Sequence, residues 1–229
     1  MTTGKRLLLW DIDGTLIATG GAGEKSLQRM VRERFGVADD FHDIEIAGRT
    51  DANITANILK KYGVEPDADN VSEFLDDYLR GLADTLPKIS GRISPGVAEL
   101  LRRLERDPDT VLGLLTGNVR RGAELKLRHY GLWHYFAFGA FADDHAERNE
   151  LGAFAIARAT ELHGQSFAGA QIDVIGDTGH DIACGKIIDA RTVAVATGTW
   201  TRAKLAECAP DFLFDDFSRV DAVMSELGL

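Results

Sequence analysis

The chain has 229 residues, 45% of them apolar, enough for a sizeable core built as one domain or as a domain carrying a smaller insert. A net charge of −10 with no long basic run disfavours a dedicated nucleic-acid binder or a binder of anionic membranes. No apolar stretch approaches the roughly 20 residues of a bilayer span, and Leu7-Leu8-Leu9 is too short for a signal peptide, so a cytoplasmic protein is expected, monomeric or homodimeric.

Leu7-Leu8-Leu9-Trp10 reads as a buried parallel strand that stops at Asp11 and Asp13, with Gly14 permitting a sharp turn. The glycine-dense stretch from Ala18 to Gly23 suits a hinge or ligand-side loop, and equally a surface connector. A helix is expected from Glu24 to Phe35, with Leu27, Met30, Val31 and Phe35 inward and Gly36 as its stop. Ile44 to Asp51 breaks that pattern, and Thr50 or Asp51 then caps a helix bearing Ile54, Ile58, Leu59 and Tyr62. A third helix is predicted from near Asn70, with Glu73 in capping-box position and Val71, Phe74, Leu75, Tyr78, Leu79 and Leu82 forming one stripe.

Beyond Pro95, placed at the first position of a helix behind Ser94, helix and strand alternate. Val97, Leu100, Leu101 and Leu104 face inward; Val111 to Leu115 is a second buried strand ending in Thr116-Gly117-Asn118. A helix from Val119 to Tyr130, a short strand Phe136-Ala137-Phe138 and a helix from Asn149 to His163 follow. The remaining strands are Gln171 to Ile175, running into Gly176-Asp177-Thr178-Gly179-His180-Asp181, then Thr192 to Val195 and Asp211 to Phe214. Alternation of this kind implies an α/β fold: a Rossmann-like parallel sheet core, with helices on both faces and an inserted all-helical cap domain. The core takes residues 1–16 and 89–229 and the cap 17–88, with relative motion expected at the two junctions. Cys184 and Cys208 lack metal-site spacing and read as idle or buried thiols.

Three strands thus end in polar groups: Asp11 and Asp13, Thr116-Gly117-Asn118, and Asp177 with Asp181. Ligands of open α/β sheets bind at such ends. In this order they resemble the haloacid dehalogenase superfamily of aspartate-nucleophile hydrolases, whose motifs are D-x-D-G-T, a Ser or Thr after a second strand, a basic residue before a later helix, and G-D-x-x-x-D. The helical insert is similar to that of the phosphoglycolate phosphatase-like branch.

The resemblance implies a Mg²⁺-dependent phosphatase of a small phosphorylated metabolite, acting through a phosphoaspartyl intermediate on Asp11. Asp11, the backbone carbonyl of Asp13 and the Asp177 carboxylate would hold the metal, with Asp181 in its outer shell or stabilising a helix start. Asp13 would be the general acid and base, and Thr15 would brace the loop. Thr116, Gly117 and Asn118 would bind phosphoryl oxygens, although Thr116 or Asn118 also serves as an ordinary helix cap. The motif-three lysine is missing, and Arg148 is its candidate replacement, against a surface arginine paired with Glu147 or Glu150. Arg49, in a loop similar to the substrate-facing loop of related phosphatases, would contact an anionic part of the substrate, make an interdomain salt bridge or stand as a solvated charge. His145 and His180 are expected to be structural or to support the site from its outer shell. A phosphosugar mutase of the same superfamily and a non-catalytic phosphate-binding regulator are the alternatives.

Overall fold

The structure, a computed structural model, describes residues 4–229. Its strands are β1 Arg6–Trp10, β2 Ile17–Ala18, β3 Arg92–Ile93, β4 Thr110–Leu115, β5 Gly139–Ala140, β6 Ile172–Gly176, β7 Arg191–Val195 and β8 Phe212–Phe214. Its α-helices are α1 Ala22–Phe35, α2 Asp51–Lys61, α3 Ala68–Thr85, α4 Val97–Leu104, α5 Arg120–His129, α6 Leu151–His163, α7 Gly179–Ile187, α8 Arg202–Glu207 and α9 Val220–Leu227.

Strand β1 is apolar on both faces because both are covered. Leu8 and Trp10 pack with residues of α4, α5 and α9, whereas Leu7 and Leu9 point the other way, toward α6 and α7. Leu7, Leu8 and Leu9 are fully buried, each contributing about 1.5–3 kcal/mol relative to an exposed position. The six-stranded sheet is parallel throughout, in the order β5-β4-β1-β6-β7-β8. From β1 the chain builds outward through β4 to β5 and then returns to β6 on the other side. This reversal opens a crevice beyond the carboxyl ends of β1 and β6.

The helical insert α1 to α3 lies between β2 and β3 and has its own apolar cluster, with Leu27, Met30, Ile58, Phe74, Tyr78 and Leu82 at its centre. Val119 and Ala142, from loops at the carboxyl ends of the sheet, join that cluster and seat the insert over the crevice. Its two junctions run side by side: Ile17 pairs with Ile93 and Ala18 with Arg92, antiparallel, and the Ser94 N–H donates to the Leu16 carbonyl at 3.0 Å. Two-residue strands carry no readable periodicity, so this ladder was not anticipated.

Several boundaries differ from the sequence reading. Helix α3 starts earlier, because the Asp67 carboxylate caps it by accepting from the Asn70 N–H at 2.8 Å; Glu73 forms no capping box and pairs with Arg34 instead. Pro95 does not open α4. Its carbonyl accepts from the Phe217 N–H at 3.1 Å, and Gly96, at φ 81° and pressed against the Phe217 backbone, forms the cap. The edge strand is Gly139–Ala140, not Phe136 to Phe138: Gly139 pairs with Leu114 and Ala140 with Leu115, and the approach is so close that a Cβ at Gly139 would meet Leu114 at 2.6 Å. Asn149 belongs to a 3₁₀ turn, Arg148–Glu150, that precedes α6.

Candidate active site

The strand ends converge. The Asp11 N–H still donates to the Ile175 carbonyl at 2.9 Å, so Asp11 continues the β1–β6 pairing by one residue and its carboxylate emerges beside the turn after β6. Gly14, at φ 85°, turns the chain back, and a side chain there would collide with Asp177; one at Gly198 would do the same. Thr15 donates to Asp177 Oδ1 at 3.1 Å and fixes that carboxylate from the β1 loop. Asp181 accepts from both the hydroxyl and the N–H of Thr178, at 2.7 and 3.0 Å, in a capping box at the start of α7. Asp11, Asp177 and Asp181 are all buried, with carboxylate oxygens within 4.8 Å of one another.

Arg148 enters this cluster from the 3₁₀ turn before α6. Its guanidinium donates to Asp11 Oδ1 at 2.9 Å and pairs with Asp181, and its side chain is only 7% exposed. That burial rules out a solvated arginine paired with Glu147 or Glu150. Burial opposes its charge, but Asp181 and Asp11 outweigh it and hold its pKa above the usual arginine range. Burial raises Asp11 to about 6, Arg148 opposing and Asp181 adding to the rise. Burial, Asp11 and Asp181 push Asp177 well above the usual carboxylate range.

A second cluster surrounds Asp13. Asn118 Nδ2 donates to Asp13 Oδ2 at 2.9 Å and to Thr116 Oγ1 at 2.9 Å, and Lys126 Nζ donates to the same Asp13 oxygen at 2.5 Å and to Asn118 Oδ1 at 2.6 Å. Lys126 was absent from the sequence reading. Its available signal was a charge on the buried stripe of α5, beside Gly122, Ala123 and Leu127.

The start of α5 is occupied differently from expectation. The Asn118 N–H donates to Thr116 Oγ1 at 3.3 Å, the Val119 N–H to Asp51 at 2.8 Å and the Arg120 N–H to Asp143. Asn118 thus touches Asp13 through its side chain and turns its amide inward, while Gly117 lines the cavity and Thr116 lies fully buried, its hydroxyl oxygen taken by Asn118.

The insert closes over these groups through the loop Gly48-Arg49-Thr50-Asp51. Thr50 Oγ1 donates to the Ala146 carbonyl at 2.5 Å, the Asp51 N–H to the Gly117 carbonyl at 2.7 Å and Arg148 Nη1 to the Gly48 carbonyl at 3.4 Å. His180 faces Glu45 at 3.1 Å across the same seam, whereas His145 accepts from the Glu147 N–H within its own loop. Arg49 pairs with Glu45 at 2.6 Å and lines the cavity beneath the loop. That cavity, about 290 Å³, is bounded by Asp11, Asp13, Arg148 and Lys126 below and by Leu27, Ile54 and Tyr78 of the insert above. A wider groove of about 610 Å³ between α1 and α3 lies away from these carboxylates and is lined by paired charges such as Arg34 with Asp77.

Three buried carboxylates stand beside one guanidinium, which pairs with Asp11 and Asp181 but not with Asp177, and this leaves excess negative charge in a buried site. A divalent cation with a preference for oxygen ligands fits that donor set. Arg148 Nε is buried without a partner among the described residues, a donor available to an anionic oxygen. Among the described residues no helix is long and apolar enough to cross a membrane.

A family model described as haloacid dehalogenase-like hydrolase matches residues 8–186, from β1 through the carboxylates to α7. The chain belongs to this family. Within it, the chain is similar to a probable phosphatase, IndB, of Dickeya dadantii (27% identity, covering 94% of this chain and 92% of the relative). It is also similar to a phosphoglycolate phosphatase of Synechococcus elongatus (26% identity, covering 96% and 97%). Among solved structures, CbbY of Rhodobacter sphaeroides in complex with phosphate superposes with a TM-score of 0.78 at 18% identity, covering 98% of this chain and all of that one. The haloacid dehalogenase-like fold thus accounts for both the six-stranded sheet and the helical insert.

Proposed function

We propose that the chain is a Mg²⁺-dependent phosphohydrolase of small phosphorylated metabolites, working through a phosphoryl group carried on Asp11. The observation that carries this reading is the placement of Asp11: a buried carboxylate held by Arg148 on one side and facing Asp177 and Asp181 on the other. Asp11 and Asp177, with the Asp13 backbone carbonyl, would hold the cation, and Asp181 would hold its outer shell and Arg148. When bound, Mg²⁺ supplies charge neutralisation that lets an anionic nucleophile approach an anionic ester.

The remaining steps belong to the chain's own residues. Asp11 attacks phosphorus, and Arg148 balances the charge that builds on the phosphoryl oxygens. Asp13 gives a proton to the departing alkoxide, and its carboxylate then takes one from the water that releases phosphate from Asp11. Gly117, at the cavity wall, meets the phosphoryl group, with Thr116 buried behind it. Residues 17–88 act as a cap over a core of 1–16 and 89–229, with Arg49 at the cap's inner edge. The similarity to the Synechococcus enzyme makes phosphoglycolate the first metabolite to try.

A phosphate-release screen over phosphorylated two- to six-carbon metabolites, with and without Mg²⁺, tests the reading. Release is expected only with Mg²⁺, and Asp11→Asn should lower it at least about 10³-fold. Wild-type rates in Asp11→Asn, or no release from any substrate by the wild type, would overturn it. An isomerised sugar phosphate in place of free phosphate would move the assignment to a mutase.

A further inference from the structure

Lys126 is the most anomalous charge in the core. It occupies a position on α5 where its neighbours Ala123 and Leu127 are fully buried, and its own side chain is 5% exposed. A well-packed aliphatic residue there would stabilise the helix at least as well, since a buried ion pair rarely outweighs its desolvation. Burial opposes the ammonium, and Asp13, with Tyr78 and Asp51, restores it and drives its pKa above the usual lysine range. A charge kept at such a cost, with its partner in the reaction centre, signals function.

From the geometry we infer that Lys126 is a positioning residue for Asp13. This inference rests on the reading of Asp13 as acid and base. Lys126, Asn118 and Asp13 form a closed triangle: Lys126 donates to both of the others, and Asn118 donates to Asp13. The bond from Lys126 to Asn118 Oδ1 also fixes which end of the amide faces Asp13. Both bonds to Asp13 fall on Oδ2, and the Asp13 side chain lines the cavity and is 42% exposed. Oδ1 is therefore the oxygen that meets the leaving group. An ammonium has three donors, and Asp13 and Asn118 take two of them, which fixes Lys126 against the acid. The triangle is built wholly from α5 and the strand-end loops, so Asp13 is aimed by the core and not by the insert.

The test is leaving-group dependence. An alkyl phosphate needs a proton on its departing oxygen, whereas p-nitrophenyl phosphate expels a stable phenolate without one. Asp13→Asn should therefore lower kcat/KM far more for the alkyl ester, and Lys126→Met should reproduce that selectivity. We expect at least about a 30-fold loss on the alkyl phosphate and less than about 3-fold on p-nitrophenyl phosphate, with Lys126→Arg intermediate. Equal losses on both substrates, or no loss on either, would overturn the assignment of Lys126. Absence of selectivity in Asp13→Asn itself would instead sink the reading of Asp13. Should Lys126→Met fail to fold, Asn118→Ala opens the same triangle; a selective loss supports the assignment and an unselective one contradicts it.

Discussion

Asp11 shows how one residue's surroundings set its chemistry. Burial brings its carboxyl to about 6, above its value in an unfolded chain, so in the folded protein without a cation it takes up a proton as the pH falls through 6. A protonated Asp11 is neither a nucleophile nor a metal ligand. Activity should therefore fall below about pH 6, and because a cation favours the ionised form, raising Mg²⁺ should move that midpoint to lower pH. Measuring kcat/KM against pH at several Mg²⁺ concentrations checks this; a midpoint independent of Mg²⁺ would contradict it. The acidic residues were legible because each ends or follows an apolar strand. Arg148 was legible only as a charge near the expected place in the chain. Lys126 was not, because its partner Asp13 lies 113 residues away and a lysine on a helix ordinarily faces water.

At the scale of elements, the links across the seam between insert and core include a cap that one helix supplies to another. Asp51, the first residue of α2, accepts from the Val119 N–H and so caps α5 across the seam. Asp51→Ala should cost about 0.5–2 kcal/mol, read from urea unfolding. Burial also raises Asp51 to about 6, with Lys126 and the Val119 N–H opposing. A folded pKa above the unfolded one means the folded state binds more protons between about pH 4 and 6, so the wild-type advantage over Asp51→Ala should shrink as pH rises through that window. An advantage that grows would contradict the assignment. Helices α2 and α3 were readable from their apolar spacing and caps. The start of α4 and the edge strand β5 were not, because Gly96 and Gly139 take their roles from residues distant in the chain, the Phe217 backbone and Leu114.

For the whole molecule, alternation of apolar runs with amphipathic helices was enough to imply a parallel sheet with its site at the carboxyl ends of the strands. Strand order was not readable, since Leu7 to Trp10 carries no mark of which neighbours, β4 and β6, it will pair with. That order places Asp11 between the turns after β4 and β6, and the proposal that Asp11 carries the phosphoryl group rests on this placement. The most direct test uses Asp13→Asn with Mg²⁺ and p-nitrophenyl phosphate, a substrate whose leaving group needs no acid. The first half of the reaction should then run and the second stall, giving a burst of nitrophenolate and, after acid quench and peptide mass spectrometry, one phosphoryl group per chain on the peptide containing Asp11. A phosphoryl group on another residue, or steady nitrophenolate release with Asp11 unmodified, would contradict the account.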